Sequence, residues 1–141
     1  MILASCSGSG TAFEFYVVIE PEETSNFIGA VMALAEAEGL ETAEGRAVAD
    51  TGNVSRFVEG RGGGIVLWVQ NVLLSGNEDA RICGVHPEPY SDPAQFVIST
   101  QPRLLGSRSE ATRLGERLYA RLHEAGFDVR RQPVVCGVAA L

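Results

Sequence analysis

The chain has 141 residues, 45% of them hydrophobic and 21% charged, with a formal net charge of −7. That length and mixture suit one folded domain with a sizeable buried core. The acidic balance argues against nucleic acid as a partner, because phosphates demand a positive surface, and no apolar run approaches the ~18 residues of a membrane-spanning helix.

The chain opens on Leu3-Ala4-Ser5-Cys6, followed by Ser7-Gly8-Ser9-Gly10. The first four residues resemble a bacterial lipobox, which is cut just before a cysteine that receives a diacylglyceryl group. The Ser/Gly run behind them reads as a flexible tether spanning about 13 Å. The resemblance implies a lipoprotein of the bacterial cell envelope, anchored to the membrane through lipidated Cys6 on the periplasmic side. Ser7 stands where an aspartate resembles an inner-membrane retention signal, which implies the outer membrane. Only Met1 and Ile2 precede the box, so the resemblance also requires a signal segment upstream. With Met1 as the genuine start, the chain is instead cytosolic. Residues 1–11 are therefore expected to be a lipobox remnant and tether, and residues 12–141 a single α+β domain.

Phe13 to Glu20 alternates apolar and polar residues, the pattern of a half-buried strand, and Pro21 stops it. A helix begins between Glu22 and Ser25, with Thr24 or Ser25 as its cap. Phe27, Ile28, Val31, Met32 and Ala35 form its apolar face. Gly39 and Leu40 supply a left-handed end and the apolar residue just beyond it. Arg46–Asp50 and Ser55–Glu59 read as strand pieces, and Gly60–Gly64 as a mobile connection. Ile65–Leu74 is apolar on both faces and holds the only tryptophan, Trp68, so it is expected at the centre of a sheet. Ser75–Asp79 makes a turn, with Arg81–Val85 returning as partner strand, and Gln95–Thr100 is a further strand. A second helix spans Ser109–Ala125 with Ala111, Leu114, Leu118 and Leu122 as its stripe, ended by Gly126. Phe127–Val135 is the last strand.

Strand, helix, Gly plus apolar residue, and strand thus occur twice around a β-rich middle. This resembles a ferredoxin-like βαββαβ plan, an antiparallel sheet with two helices on one face and an extra hairpin. The other face is left for solvent, a partner or a second copy as a homodimer.

Three cysteines occur. With Cys6 lipidated, Cys83 and Cys136 remain as a candidate disulfide in an oxidising compartment; in a cytosolic chain they are buried free thiols. Cys83 and His86 form a C-x-x-H pair, short of the four ligands that zinc needs. His86, Glu88, Tyr90 and Asp92 alternate with Pro87, Pro89 and Pro93, and this stiff segment is the candidate recognition loop, the alternative being a plain connector. Asn77, Glu78 and Asp79 lack calcium-loop spacing. No metal or other cofactor is expected. No convergent nucleophile, base and oxyanion donors are visible, which favours a non-catalytic binding or accessory lipoprotein that meets an envelope protein. The alternatives are an immunity-type lipoprotein that blocks a periplasmic toxin and a cytosolic ferredoxin-like small-ligand binder or enzyme.

Overall fold

The computed structural model describes residues 10–48, 54–72, 75 and 94–134. Their order is β1 (Phe13–Ile19), a 3₁₀ turn (Pro21–Glu23), α1 (Thr24–Ala37), β2 (Glu41–Val48), β3 (Val54–Gly62), β4 (Ile65–Asn71), β5 (Ala94–Pro102), α2 (Arg108–Glu124) and β6 (Asp128–Arg130). The strands form one antiparallel sheet in the order β2-β3-β4-β5-β1-β6. The architecture is α+β.

Alternation along β1 sends Phe13, Phe15, Val17 and Ile19 to one face, where they meet the helices. Ile65, Leu67 and Val69 of β4, Phe96 and Ile98 of β5 and Val58 of β3 join them. Phe27, Ile28, Val31 and Ala35 of α1, with Ala111, Leu114, Leu118 and Leu122 of α2, close this layer. Fully burying each large side chain contributes roughly 1.5–3 kcal/mol. Among the described residues the one polar side chain buried in it, Thr100, donates its hydroxyl to the Ala111 carbonyl at 2.7 Å, tying β5 to α2.

Both helices end as their sequences require. The Leu40 N–H reaches back to the Ala35 carbonyl and the Phe127 N–H to the Leu122 carbonyl, each beyond a positive-φ glycine. The start of α1 differs from expectation. Neither Thr24 nor Ser25 caps it; Glu23 holds the cap position without a side-chain bond, and the Thr24 N–H is satisfied by the Pro21 carbonyl of the 3₁₀ turn. The Ser25 hydroxyl instead accepts from Arg56, which also pairs with Glu44.

The run Gly60–Gly64 is not a loose connection. Gly60, Arg61 and Gly62 are strand residues of β3, and only Gly63 and Gly64 turn the chain, both at positive φ as a two-residue hairpin requires. β2 starts at Glu41, earlier than its sequence advertises. β4 is central as expected, between β3 and β5; the partner strand expected at 81–85 lies outside the described residues. The last strand is shorter than its apolar run, three residues against the expected nine, because the chain leaves the sheet edge at Arg131.

Candidate functional site

Alternation places a second set of side chains on the sheet face that carries no helix. Registers align Ala43, Glu59, Trp68, Ser99 and Glu14 in one cross-strand row. A neighbouring row runs Glu41, Arg61, Val66 and Gln101, and on the other side Gln70, Val97 and Tyr16 line up. Trp68 and Phe57 are half-buried, the Phe57 ring lying over Gly45 of the edge strand. Aromatic faces ringed by amides and carboxylates suit contact with a partly apolar ligand or partner.

Part of this face is covered. Tyr16, Val72 and Val97 form a small buried cluster of their own. Val134 is held to the sheet by Gln95. The Gln95 carboxamide, 2% exposed, donates to the Val134 carbonyl at 3.2 Å and accepts from the Val134 N–H at 2.8 Å. One side chain thus takes the place of a strand partner. Nearer the N-terminus, Arg131 lies 4.1 Å over the Phe13 ring and borders a cleft of about 370 Å³ with Thr11, Glu14, Tyr16, Gln132 and Pro133.

At the sheet end where β1 begins, three turns meet. The Gly64 carbonyl accepts from the Arg103 N–H at 2.7 Å, and the Gly106 N–H closes the Arg103–Gly106 turn onto the Arg103 carbonyl at 2.7 Å. A Cβ on Gly62 would stand 2.7 Å from the Gly39 carbonyl oxygen, and one on Gly106 would run into the Gly64 peptide. These glycines let the α1 end, the β3–β4 hairpin and the Arg103–Gly106 turn touch backbone to backbone. Beside them an open cleft of about 490 Å³ is lined by Glu41, Arg61, Arg103 and Leu104. Leu104 and Leu105 protrude from the turn, 92% and 99% exposed, and Leu105 sits at φ 69°, a conformation that costs a leucine about 1–2 kcal/mol.

Ion pairs lie around these features. Arg56 holds Glu44 below the usual carboxylate range, chiefly through its hydrogen bond, and Glu44 in turn raises Arg56. Glu38 raises Arg117 across the two helices, and Asp128 raises Arg130 on the edge strand. Each shift drives a group further into its charged form, which suits holding rather than proton exchange near neutral pH.

The sequence-derived site residues Cys6, Cys83, Cys136, His86, Glu88, Tyr90 and Asp92 lie outside the described residues, as do Asn77, Glu78 and Asp79. Among the described residues no cluster of three or more His, Cys, Asp or Glu could hold a metal ion, and no helix is long and apolar enough to cross a membrane. The sequence passed over the Leu104-Leu105 turn. Its signal was two leucines between a strand end and the Ser107-x-x-Glu110 capping box, whose Ser107 hydroxyl accepts from the Glu110 N–H.

Comparison of the chain with models of known protein families, with curated proteins and with solved structures finds no match, so nothing about the site is carried over from another protein.

Proposed function

We propose that this chain is a lipid-anchored, non-catalytic binding protein of the bacterial cell envelope, held at Cys6 on a short tether, with a ferredoxin-like core. The observation that carries the reading is sidedness. The N-terminal segment enters the domain at the end of the sheet where β1 begins. There the Arg108 guanidinium donates to the Gly10 and Thr11 carbonyls, at 3.3 and 2.9 Å, and Ala12 N–H to the Thr100 carbonyl at 2.7 Å. Val72 and Ala94, which flank the segment carrying His86, Glu88, Tyr90 and Asp92, stand at the opposite end, beside Ile19. A chain anchored at Cys6 therefore directs the flanks of its recognition segment away from the bilayer, towards a partner.

The strand order supports the ferredoxin-like description: with β3 and β4 taken as the extra hairpin, β6-β1-β5 and β2 follow the split βαβ order. A disulfide between Cys83 and Cys136 belongs to the same proposal. Val134, two residues before Cys136, is held by Gln95, next to the residue at which the segment containing Cys83 re-enters the sheet.

The experiment is expression of the full chain behind a bacterial lipoprotein signal peptide, followed by membrane fractionation and intact-mass analysis. A chain that begins at a diacylated Cys6 supports the reading, and loss of that mass in Cys6→Ser supports it further. A soluble chain with a free Cys6 thiol sinks it.

A further inference from the structure

Leu104 and Leu105 are the most exposed large apolar side chains described, and they lie next to each other on the Arg103–Gly106 turn. The turn is rigid by construction. Its two ends are tied to each other, the Arg103 N–H is tied to the Gly64 carbonyl, and Gly64 and Gly106 pack with no room for a side chain. Leu105 is held at positive φ, where glycine or asparagine is the ordinary occupant. A strained turn that displays two leucines to water calls for an occupant that rewards the display.

The position of the turn identifies that occupant. Thr100 pairs with Phe13, the first strand residue after the tether, and Leu104 is four residues further on. An extended chain of that length keeps Leu104 within about 14 Å of Thr100 and Leu105 within about 18 Å, at the end of the sheet where residues 10–12 enter. Residues 7–11 themselves span only about 13 Å. The entry of the N-terminal segment and the turn thus share one end of the domain.

The surroundings fit a phospholipid surface. Arg103 is exposed beside Leu104; at the same end Arg61 is paired with Glu59 and Arg108 is bonded to the Gly10 and Thr11 carbonyls, in a chain whose net charge is −7. A protruding apolar tip bordered only by a wide, open cleft suits a soft interface that closes over it. We propose that the Arg103–Gly106 turn is a membrane-docking tip. Leu104 and Leu105 enter the headgroup–acyl boundary, Arg103 meets lipid phosphates, and the anchored domain is thereby held upright. The proposal rests on the reading that the chain is tethered at its N-terminus.

The test does not depend on lipidation. The full chain carrying Cys6→Ser and an N-terminal hexahistidine tag is held on vesicles of phosphatidylcholine, phosphatidylglycerol and a nickel-chelating lipid. A tryptophan is added by Leu105→Trp, and separately by Leu104→Trp in case the strained position refuses it. Val48→Trp is the control, because Val48 is an exposed apolar residue at the opposite end of the sheet. Lipids brominated in the acyl chain should remove about half or more of the emission of the indole at 104 or 105. They should leave the indole at 48 and the native Trp68 unquenched, and Arg103→Glu should weaken the effect. Equal quenching at both ends, or none at either leucine position, overturns the proposal. So does a dimer of the free chain that Leu104→Asp dissolves, since the tip would then serve a second copy. An unmodified Cys6 in cells with quenching confined to the tip would remove the anchor and leave the docking surface, so the two failures are distinguishable.

Discussion

Gly106→Ala is the sharpest test of how the end of the sheet where β1 begins is built. The added methyl would lie 2.9 Å from the Gly64 carbonyl carbon, 3.0 Å from the Arg103 carbonyl oxygen, and closer still to the Gly64 carbonyl oxygen. All three neighbours are backbone, so no side chain can swing aside. Relief requires the turn to part from the β3–β4 hairpin, which gives up the Arg103 N–H bond to Gly64, about 1 kcal/mol. It also strains two tight turns, adding about 1–3 kcal/mol as overpacking does elsewhere. Against this, alanine restricts the unfolded chain and returns about 0.4–1 kcal/mol. The net is a loss of about 2 kcal/mol, or a fall of about 6–8 °C in midpoint for a chain this size. Thermal and urea unfolding of the full chain measure it. An unchanged or raised midpoint would refute the close backbone contact and the rigidity argued for the tip.

Four further outcomes follow from particular contacts. Gly115→Ala sets helix propensity, a gain of about 1 kcal/mol, against a methyl placed 2.5–2.8 Å from the Phe13 side chain, including its Cβ. The clash at a rigid β-carbon prevails, and stability falls by about 1 kcal/mol; a stabilised variant would show that α2 moves freely over β1. Leu105→Gly relieves the left-handed strain but enlarges the unfolded ensemble, so unfolding shifts by no more than about 1 kcal/mol, upwards, and a clear loss would mean that the leucine packs against something. Gln95→Ala removes both bonds to Val134; hydrogen exchange at the Val134 amide should accelerate, with about 1–2 kcal/mol lost, whereas unchanged protection would exclude this bracket. For pH, Glu44 titrates below its unfolded value, so its pairing with Arg56 contributes fully above the unfolded carboxylate range and is lost as pH falls through the lowered folded value. Because both side chains are partly exposed, the acid-side loss is about 0.5 kcal/mol, and Glu44→Gln should remove it from the stability–pH curve; an identical curve in the variant would contradict the pairing.

The parts of the fold that were legible from sequence are those where one face buries apolar residues with a single period. Phe13, Phe15, Val17 and Ile19 on β1, and Ala111, Leu114, Leu118 and Leu122 on α2, announce their faces, and each ends at a Pro or a Gly with a physical role. β2 was hard to read because its residues, Glu41-Thr-Ala-Glu-Gly-Arg, are those of an exposed edge; neighbours and not propensity make it a strand. The glycines at 60 and 62 read as looseness, yet they are packing notches for Leu40 and the Gly39 carbonyl, a role visible only once α1 and β3 are side by side. Gln95 gave no signal, since its partner Val134 is 39 residues away. The Leu104-Leu105 turn was passed over because short apolar pairs are common and only exposure distinguishes this one. The candidate site residues read from sequence, Cys6 and the Pro-rich segment, lie outside the described residues.

The proposed anchor is tested by intact-mass analysis of the N-terminus, on protein recovered from both the membrane and the soluble fractions of its native host. The account predicts a chain beginning at a diacylglyceryl-modified Cys6, with the Leu104-Leu105 end of the domain next to the bilayer. A soluble protein that begins at Met1 and carries an unmodified Cys6 would contradict it.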